Sequence, residues 1–233
     1  MSQMLDTLKQ GLPRLGLELE DSVCEQLCRF GEAVVEQNKV MNLTAITQPD
    51  QVAKLHLLDS ISLLTVMPLA GKRIIDVGCG AGFPGVPVKI ACPQAEVTLL
   101  DSLGKRMAWL EQILPELGVD ANCVTARAEE AVTSCREQYD VATSRAVARL
   151  NILLELTAPY VKVGGTVLAM KGAAALQELE ESKNAITALG LKLQRVAQFQ
   201  TEDTEHAVIV LEKVRSTPKQ YPRRYAKIKQ APL

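Results

Sequence analysis

The stretch Arg73-Ile-Ile-Asp-Val-Gly-Cys-Gly-Ala-Gly-Phe-Pro-Gly85 organises the chain. Ile74 to Val77 reads as a short buried strand, with an acid, Asp76, at its end. Glycines follow at 78, 80, 82 and 85. Glycine has no Cβ, so it takes positive φ and leaves room for a small ligand against the backbone. A plain strand-to-helix connection needs neither this many glycines nor the acid beside them.

Two ligand fingerprints overlap in this turn. Gly80-x-Gly82-x-x-Gly85, with Asp101 about 20 residues on, satisfies the dinucleotide pattern. Gly78-x-Gly80-x-Gly82, led by Asp76, satisfies that of S-adenosylmethionine (AdoMet) methyltransferases. Register favours the second. A dinucleotide fold needs its first glycine directly after the strand, which here is Gly78, and its third glycine would then fall on Phe83. Pro84 fits the first turn of the next helix, where a missing N–H costs nothing.

Outward from the turn, strand and helix patterns alternate as a parallel sheet requires. Strands are expected at 73–77, 96–101, 122–125, 140–144 and 166–170, the last opened by a Gly164-Gly165 turn. Helices are expected at about 84–91, from Met107 to Leu117, from Glu129, from Leu150 and over 174–189. Segments 192–199 and 207–214 can close the sheet as an antiparallel pair. Residues 1–70 read as a helical cap. There Asp21 caps a helix with Val23, Leu27, Phe30, Val34 and Val35 on one face, and Thr47-x-x-Asp50 resembles a capping box with Pro49 in the first turn. The fold class is thus α/β: the Rossmann-like fold of class I AdoMet-dependent methyltransferases, with a mostly parallel doubly wound sheet. The expected division is a cap (1–70), a core (71–214) and a basic tail (215–233).

Aromatic residues make up only 3% of the 233, so the core must be aliphatic. No apolar run is long enough to span a membrane, and the N-terminus lacks the basic start and apolar block of a signal peptide. Six cysteines without a Cys-x-x-Cys pair, and only two histidines, argue against a metal site and for a reduced, cytoplasmic protein. From Lys213 onward there are seven basic residues and no acid, leaving 19 basic against all 27 acidic residues in the body. An acidic body with a basic tail points to a polyanionic partner met through the tail; a solvated terminus that orders only on binding reads equally well.

Ligands of open α/β sheets bind beyond the carboxyl ends of the strands. The polar residues collected there are Asp76, the Gly78–Phe83 turn including Gly80, Asp101-Ser102, Arg127-Ala128-Glu129, Ser144-Arg145 and Lys171. Asp101 can accept bonds from vicinal ribose hydroxyls or cap the next helix. Backbone amides near Ala128 and Glu129 can read an adenine edge, although Glu129 also suits a helix N-terminus. Phe83 can pack against a cofactor or simply fill core. Asp76 can face an ammonium group or cap nearby N–H groups. Arg145 can hold a carboxylate or position a substrate, its alternative being an ion pair with Asp76 or Asp140. His56 and Asp59, one turn apart, can line the same cleft or lie on a helix surface.

Seven segments in order resemble a known family: Asn42-Leu-Thr-Ala-Ile46, Lys54-x-His56-x-x-Asp59-Ser60, the Ile75–Gly85 turn, Leu99-Leu-Asp-Ser-Leu-Gly-Lys-Arg106, Ala126-Arg-Ala-Glu129, Ser144-Arg-Ala-Val-Ala148 and Ala169-Met-Lys-Gly172. The chain resembles the bacterial RsmG (glucose-inhibited division protein B) family of small-subunit rRNA methyltransferases over nearly its whole length. The resemblance implies AdoMet-dependent methylation of N7 of guanine 527 in 16S rRNA. It implies cofactor contacts at Gly78, Phe83, the Asp101-Ser102-Leu103 turn, Ala128, Glu129 and Arg145. Arg106, Arg149, Lys171, Arg223 and Arg224 are candidate RNA contacts, the partner being 16S rRNA or the small ribosomal subunit, and a monomer is expected. The tail departs from the family's usual glycine- and proline-containing ending, reading Tyr225-Ala-Lys-Ile-Lys after its double arginine. Cys79 stands at a small, variable position where no catalytic thiol is expected.

Guanine N7 carries an unprotonated lone pair, so no general base is required and no single catalytic side chain is expected. The competing classes are a non-catalytic nucleic-acid-binding module, which the intact Asp76 and glycine turn disfavour, and a small-molecule or protein methyltransferase, which the basic tail disfavours.

Overall fold

The computed structural model describes residues 2–200 and 205–233. Seven strands, β1 (Arg73–Val77), β2 (Glu96–Asp101), β3 (Asn122–Thr125), β4 (Tyr139–Arg145), β5 (Val161–Lys171), β6 (Leu191–Gln200) and β7 (Glu205–Lys213), form one sheet in the order β3-β2-β1-β4-β5-β7-β6. The first five pair in parallel, and β7 and β6 close one edge antiparallel. Strand order reverses between β1 and β4, which places a switch point beside Gly78 and Arg145.

The β1 sequence shows why both faces must be covered. Ile74 packs into one hydrophobic core, while Ile75 and Val77 pack into the other, as the two-residue period of a strand dictates. The first core lies beneath helices Gly85–Ala91 and Gly104–Glu116 and is continuous with the N-terminal helices. In helix Asp21–Asn38, Leu27, Phe30 and Val34 are completely buried at helical spacing. Each contributes about 1.5–3 kcal/mol through that burial. Gly31 lets the Gln3–Gly11 helix approach, since a Cβ there would lie 2.8 Å from the Met4 sulfur. The second core lies beneath helices Ala128–Cys135, Leu150–Thr157 and Lys183–Ala188.

Several local expectations differ from the structure. Asp21 is the first helical residue rather than the cap, which is Glu20, and its acid still suits the positive helix end. The capping box at Thr47 is absent: Gln48 is the N-cap and makes no side-chain bond, leaving Pro49 to start the helix. That helix continues through a π-helical turn, Ala53–Leu58, before Asp59–Ile61 and Leu63–Val66. Pro84 caps helix Gly85–Ala91 instead of lying in its first turn. β5 begins at Val161, so Gly164 and Gly165 lie inside it; a Cβ on Gly165 would meet the Asp140 carbonyl at 2.6 Å. The 174–189 helix is broken at Ser182, whose hydroxyl bonds back to the Glu178 carbonyl.

The tail packs on the body rather than standing in solvent. The Arg136 guanidinium donates to the carbonyls of Thr217, Pro218 and Tyr221, and Arg223 makes a bidentate pair with the fully buried Glu155. Ile228, on the terminal helix Tyr225–Gln230, is fully buried. Lys213 is buried too, held by Glu137 and the carbonyls of Ala158 and Val161, and burial lowers its pKa to about 8.

Candidate active site

β1 ends in a turn that only glycine fits at its first position. Gly78 has φ +74°, and a Cβ there would approach a Val147 methyl to 2.4 Å. The turn is tied to the next strand, because the N–H groups of Gly78 and Cys79 both donate to the Leu100 carbonyl. Asp76 lies under the turn, fully buried, and its Oδ2 accepts from the Gly85 N–H at 2.8 Å. A Cβ on Gly85 would lie 2.4 Å from Leu99 and 2.9 Å from that oxygen, so the fourth glycine serves packing. Burial raises the Asp76 pKa to about 7, against the pull of the Gly85 N–H and of Arg145. Among the described residues, Asp76 Oδ1 is the buried side-chain polar atom with no hydrogen-bond partner. Asp76 is not among the residues lining the neighbouring cavity, so it supports the turn from behind.

That cavity has a volume of about 570 Å³ and opens at the carboxyl ends of β1, β2 and β4. Gly78, Gly80, Phe83, Asp101, Ser102, Leu103, Arg106, Ala128, Glu129 and Arg145 all line it. Asp101 ties two corners together: Oδ2 accepts from Gly80 N–H at 2.9 Å and Oδ1 from Leu103 N–H at 2.8 Å. The cap of the following helix is Leu103 itself, so Asp101 fixes the corner before the helix. Each carboxylate oxygen keeps a further lone pair for a ligand hydroxyl. A glycine cradle, a strand-tip carboxylate with spare acceptors and apolar walls at Phe83, Leu103 and Leu156 are a donor set that fits AdoMet.

Arg145 lies at the junction of the cap with the sheet. Its Nη1 donates to Asp59 Oδ2 and to the Leu55 carbonyl, each at 2.8 Å, and its guanidinium sits 5.1 Å from the Phe83 ring centre. The partner is therefore Asp59, not Asp76 or Asp140; Asp140 binds Lys162 and the Arg73 N–H. Nη2 lies 3.1 Å from His56 Nδ1. Both ring nitrogens are engaged: Nδ1 also lies 3.1 Å from the Leu55 carbonyl, and Nε2 lies 2.8 Å from Thr44 Oγ1. Burial, then the nearby Arg145 charge, lowers the His56 pKa to about 4, so the imidazole is neutral. It stacks on Phe83 at 4.7 Å. His56 and Asp59 thus belong to the site and not to a helix surface. The π-helical turn over Ala53–Leu58 makes this possible by presenting His56 and Leu55 together; such turns recur at functional sites.

A second cavity of about 560 Å³ shares His56, Arg145, Ala146 and Val147 with the first and extends past Asp59, Arg149, Lys171 and Glu178. The RNA candidates differ in how they are held. Arg149 pairs with Glu181 across an exposed surface, a contact worth about 0–1 kcal/mol and readily exchanged for phosphate. Lys171 is partly buried against Glu178 and the Ala148 carbonyl. Arg106 donates to the Asn42 carbonyl, and Arg224 is exposed. Arg223 is committed to Glu155, and breaking such a buried pair costs about 3–5 kcal/mol, so its work is anchoring the tail.

Sequence reasoning does not single out Thr44 or Tyr225 as cavity residues, yet both line it. Thr44 belongs to a quoted motif, whereas Tyr225 has no local signal, because only the path of the tail brings it there. Among the described residues, no group of three or more His, Cys, Asp or Glu can hold a metal ion, and no helix is long and apolar enough to cross a membrane.

Solved structures share this fold. YcgJ from Bacillus subtilis is 13% identical with a TM-score of 0.55, over 68% of this chain and 99% of its own. TYW2 from M. jannaschii, solved in complex with AdoMet, is 14% identical with a TM-score of 0.53, over 66% and 76%. In sequence, the ribosomal RNA small subunit methyltransferase G of Alkaliphilus metalliredigens is 44% identical over 93% of this chain and 93% of its own. The family model described as rRNA small subunit methyltransferase G matches residues 23–208. With the glycine turn, Asp101 and Arg145 all inside that matched span, the chain belongs to the GidB family of small-subunit rRNA methyltransferases.

Proposed function

We propose that this chain uses AdoMet to methylate N7 of guanine 527 in 16S rRNA. The observation that carries the reading is the pair of adjoining cavities at the sheet's switch point, joined at His56 and Arg145. The first has the cradle and carboxylate suited to AdoMet, held by Gly78, Gly80, Phe83, Asp101, Ser102, Leu103, Ala128 and Glu129. The second has the cationic rim suited to a nucleotide. The complex of TYW2 with AdoMet supports the cofactor assignment by fold. In this reading residues 71–214 are the catalytic core, 1–70 cap it and 215–233 add basic surface. The protein works as a monomer in the cytoplasm on 16S rRNA or the small subunit.

AdoMet supplies an electrophilic methyl group on a sulfonium. This chain's residues do the rest by placement. Guanine N7 has a lone pair and no proton at neutral pH, so the site needs no base. His56 agrees with that: its Nδ1 is engaged by Arg145 and the Leu55 carbonyl and its Nε2 by Thr44, which makes it a strut. Arg145, held by Asp59 and Leu55, positions the reactants for in-line transfer, and such placement contributes several kcal/mol to a two-reactant step. N7 lies on the major-groove edge, which is closed to side chains in A-form RNA, so the guanine enters from a loop or splayed strand. Arg106, Arg149, Lys171 and Arg224 then meet the flanking phosphates.

The deciding experiment is transfer of tritiated methyl from AdoMet to 30S subunits and to naked 16S rRNA, followed by mapping of the labelled base. Label on N7 of guanine 527 is expected, and its loss in Arg145→Ala. Label elsewhere, or full activity of Arg145→Ala, overturns the reading.

A further inference from the structure

Tyr225 is 12 residues beyond the last strand, yet it lines the first cavity. Leu156, Arg127 and Ala128 line the same cavity. These belong to one corner of the molecule. Helix Leu150–Thr157 packs against helix Ala128–Cys135 and against the terminal helix Tyr225–Gln230, and the Tyr160 hydroxyl bonds the Ala128 carbonyl at 2.6 Å.

The tail is pinned where it must be to deliver this ring. Two residues before Tyr225, Arg223 grips Glu155 through its backbone N–H, Nε and Nη2 at 2.8, 2.8 and 2.6 Å. Glu155 is fully buried and precedes Leu156, the wall residue. One ion pair therefore fixes both sides of the corner at once. Upstream, Arg136 holds the carbonyls of Thr217, Pro218 and Tyr221, and Glu137 takes the Thr217 N–H. Ile228, three residues beyond Tyr225 and on the same face of the helix, is fully buried and anchors it. None of this anchoring explains why a half-exposed aromatic ring sits on a cavity wall.

We propose that Tyr225 is a cofactor-contacting residue that packs its ring against the nucleoside end of AdoMet, with the Glu155–Arg223 pair as the positioning element that holds it there. The inference rests on the AdoMet reading above. Its physical basis is that a purine presents a polarisable face for which a rigid aromatic ring is an efficient partner. The tail is then part of the cofactor site as well as a basic surface, and the two roles divide between Tyr225 and the exposed Arg224, Lys227 and Lys229 beside it.

Calorimetric titration of the full chain with AdoMet and with adenosine tests this. Removing a base-stacking aromatic lowers affinity roughly 5- to 100-fold. Tyr225→Ala is expected to weaken both ligands by the same factor within that range, with an unchanged melting temperature, since the ring is half exposed. Tyr225→Phe should keep wild-type affinity. Glu155→Gln should weaken AdoMet binding in the wild type and have no further effect in the Tyr225→Ala background, a non-additivity that a merely destabilising change would not give. Wild-type affinity in Tyr225→Ala overturns the proposal, and tighter binding overturns it too, by making the ring an obstruction. Failure of the wild type to bind AdoMet overturns the cofactor reading itself, a different result from binding that ignores residue 225.

Discussion

Replacing Asp76 by Asn isolates the consequence of burying a carboxyl group beneath the glycine turn. The side chain is fully buried, Oδ2 accepts one bond from Gly85 N–H, and Oδ1 has no partner. Burial raises the pKa from 3.8 to about 7. A raised folded pKa means the folded state binds the proton more tightly than the unfolded chain does. The resulting stability is fully present below about pH 3.8 and is lost as pH rises through about 7. At pH 5 the carboxyl is mostly ionised in the unfolded chain and still protonated in the folded one, whereas at pH 8 it is ionised in both. Each tenfold difference in proton affinity between the two states is worth about 1.36 kcal/mol, so Asp76 alone removes roughly 2–3 kcal/mol between those two pH values. Asn keeps the acceptor for Gly85 and cannot ionise. Urea unfolding of wild type and Asp76→Asn at pH 5 and pH 8, without ligand, should therefore show the variant gaining roughly 2–3 kcal/mol relative to wild type at the higher pH. Taking the difference of differences cancels all other titrating groups except those coupled to Asp76, of which Asp101 is one. Parallel pH profiles for the two proteins would refute the claim that this carboxyl is held protonated by burial.

Three further outcomes follow from the same geometry. Gly78→Ala should cost at least the roughly 1–2 kcal/mol of a left-handed non-glycine residue, plus the 2.4 Å clash with Val147, and should abolish AdoMet binding; unchanged melting and calorimetric titration would contradict this. Asp59→Asn removes the charge that holds Arg145 but leaves the Leu55 carbonyl and His56 in place, so methyl transfer should fall about 10-fold or more while AdoMet affinity changes less, as read by single-turnover kinetics. His56 has a lowered folded pKa, about 4 against 6.5, so its contribution is present above pH 6.5 and lost as pH falls through about 4. Unfolding profiles of His56→Gln should accordingly lose less stability than wild type over that acid window.

The residues from 73 to 85 are enough to find the sheet's first strand and the glycine turn, because strand period and glycine conformations are local properties. Alternation of apolar runs with helical patterns locates the parallel strands and the antiparallel closing pair for the same reason. Boundaries slip where a tertiary contact overrides local preference. β5 runs back to Val161 because Val161 pairs with Tyr139 across a register shift, and the helix at Pro49 begins without its capping box while Val52 and Leu57 are fully buried. Asp76 marks the same limit at the site. Sequence shows that an acid ends the strand, and only packing shows that Gly85 lies close enough to give it a hydrogen bond and that Asp76 is fully buried and outside the cavity lining.

What the sequence determined by itself, then, is the α/β class, the cradle and the list of polar strand tips, all set by spacing along the chain. What tertiary structure decided is which of those tips face each other. Spacing alone suggests Asp76 or Asp140 as the carboxylate for Arg145, and the pairing with Asp59 depends on a π-helical turn in a cap about 90 residues away. Tyr225 has no signal at all, since its place on the cavity wall depends on Glu155 and Arg136 gripping the tail. Contacts between residues far apart in sequence carry no periodicity to read, because the chain pays their loop-closure entropy only once the core has brought the elements together.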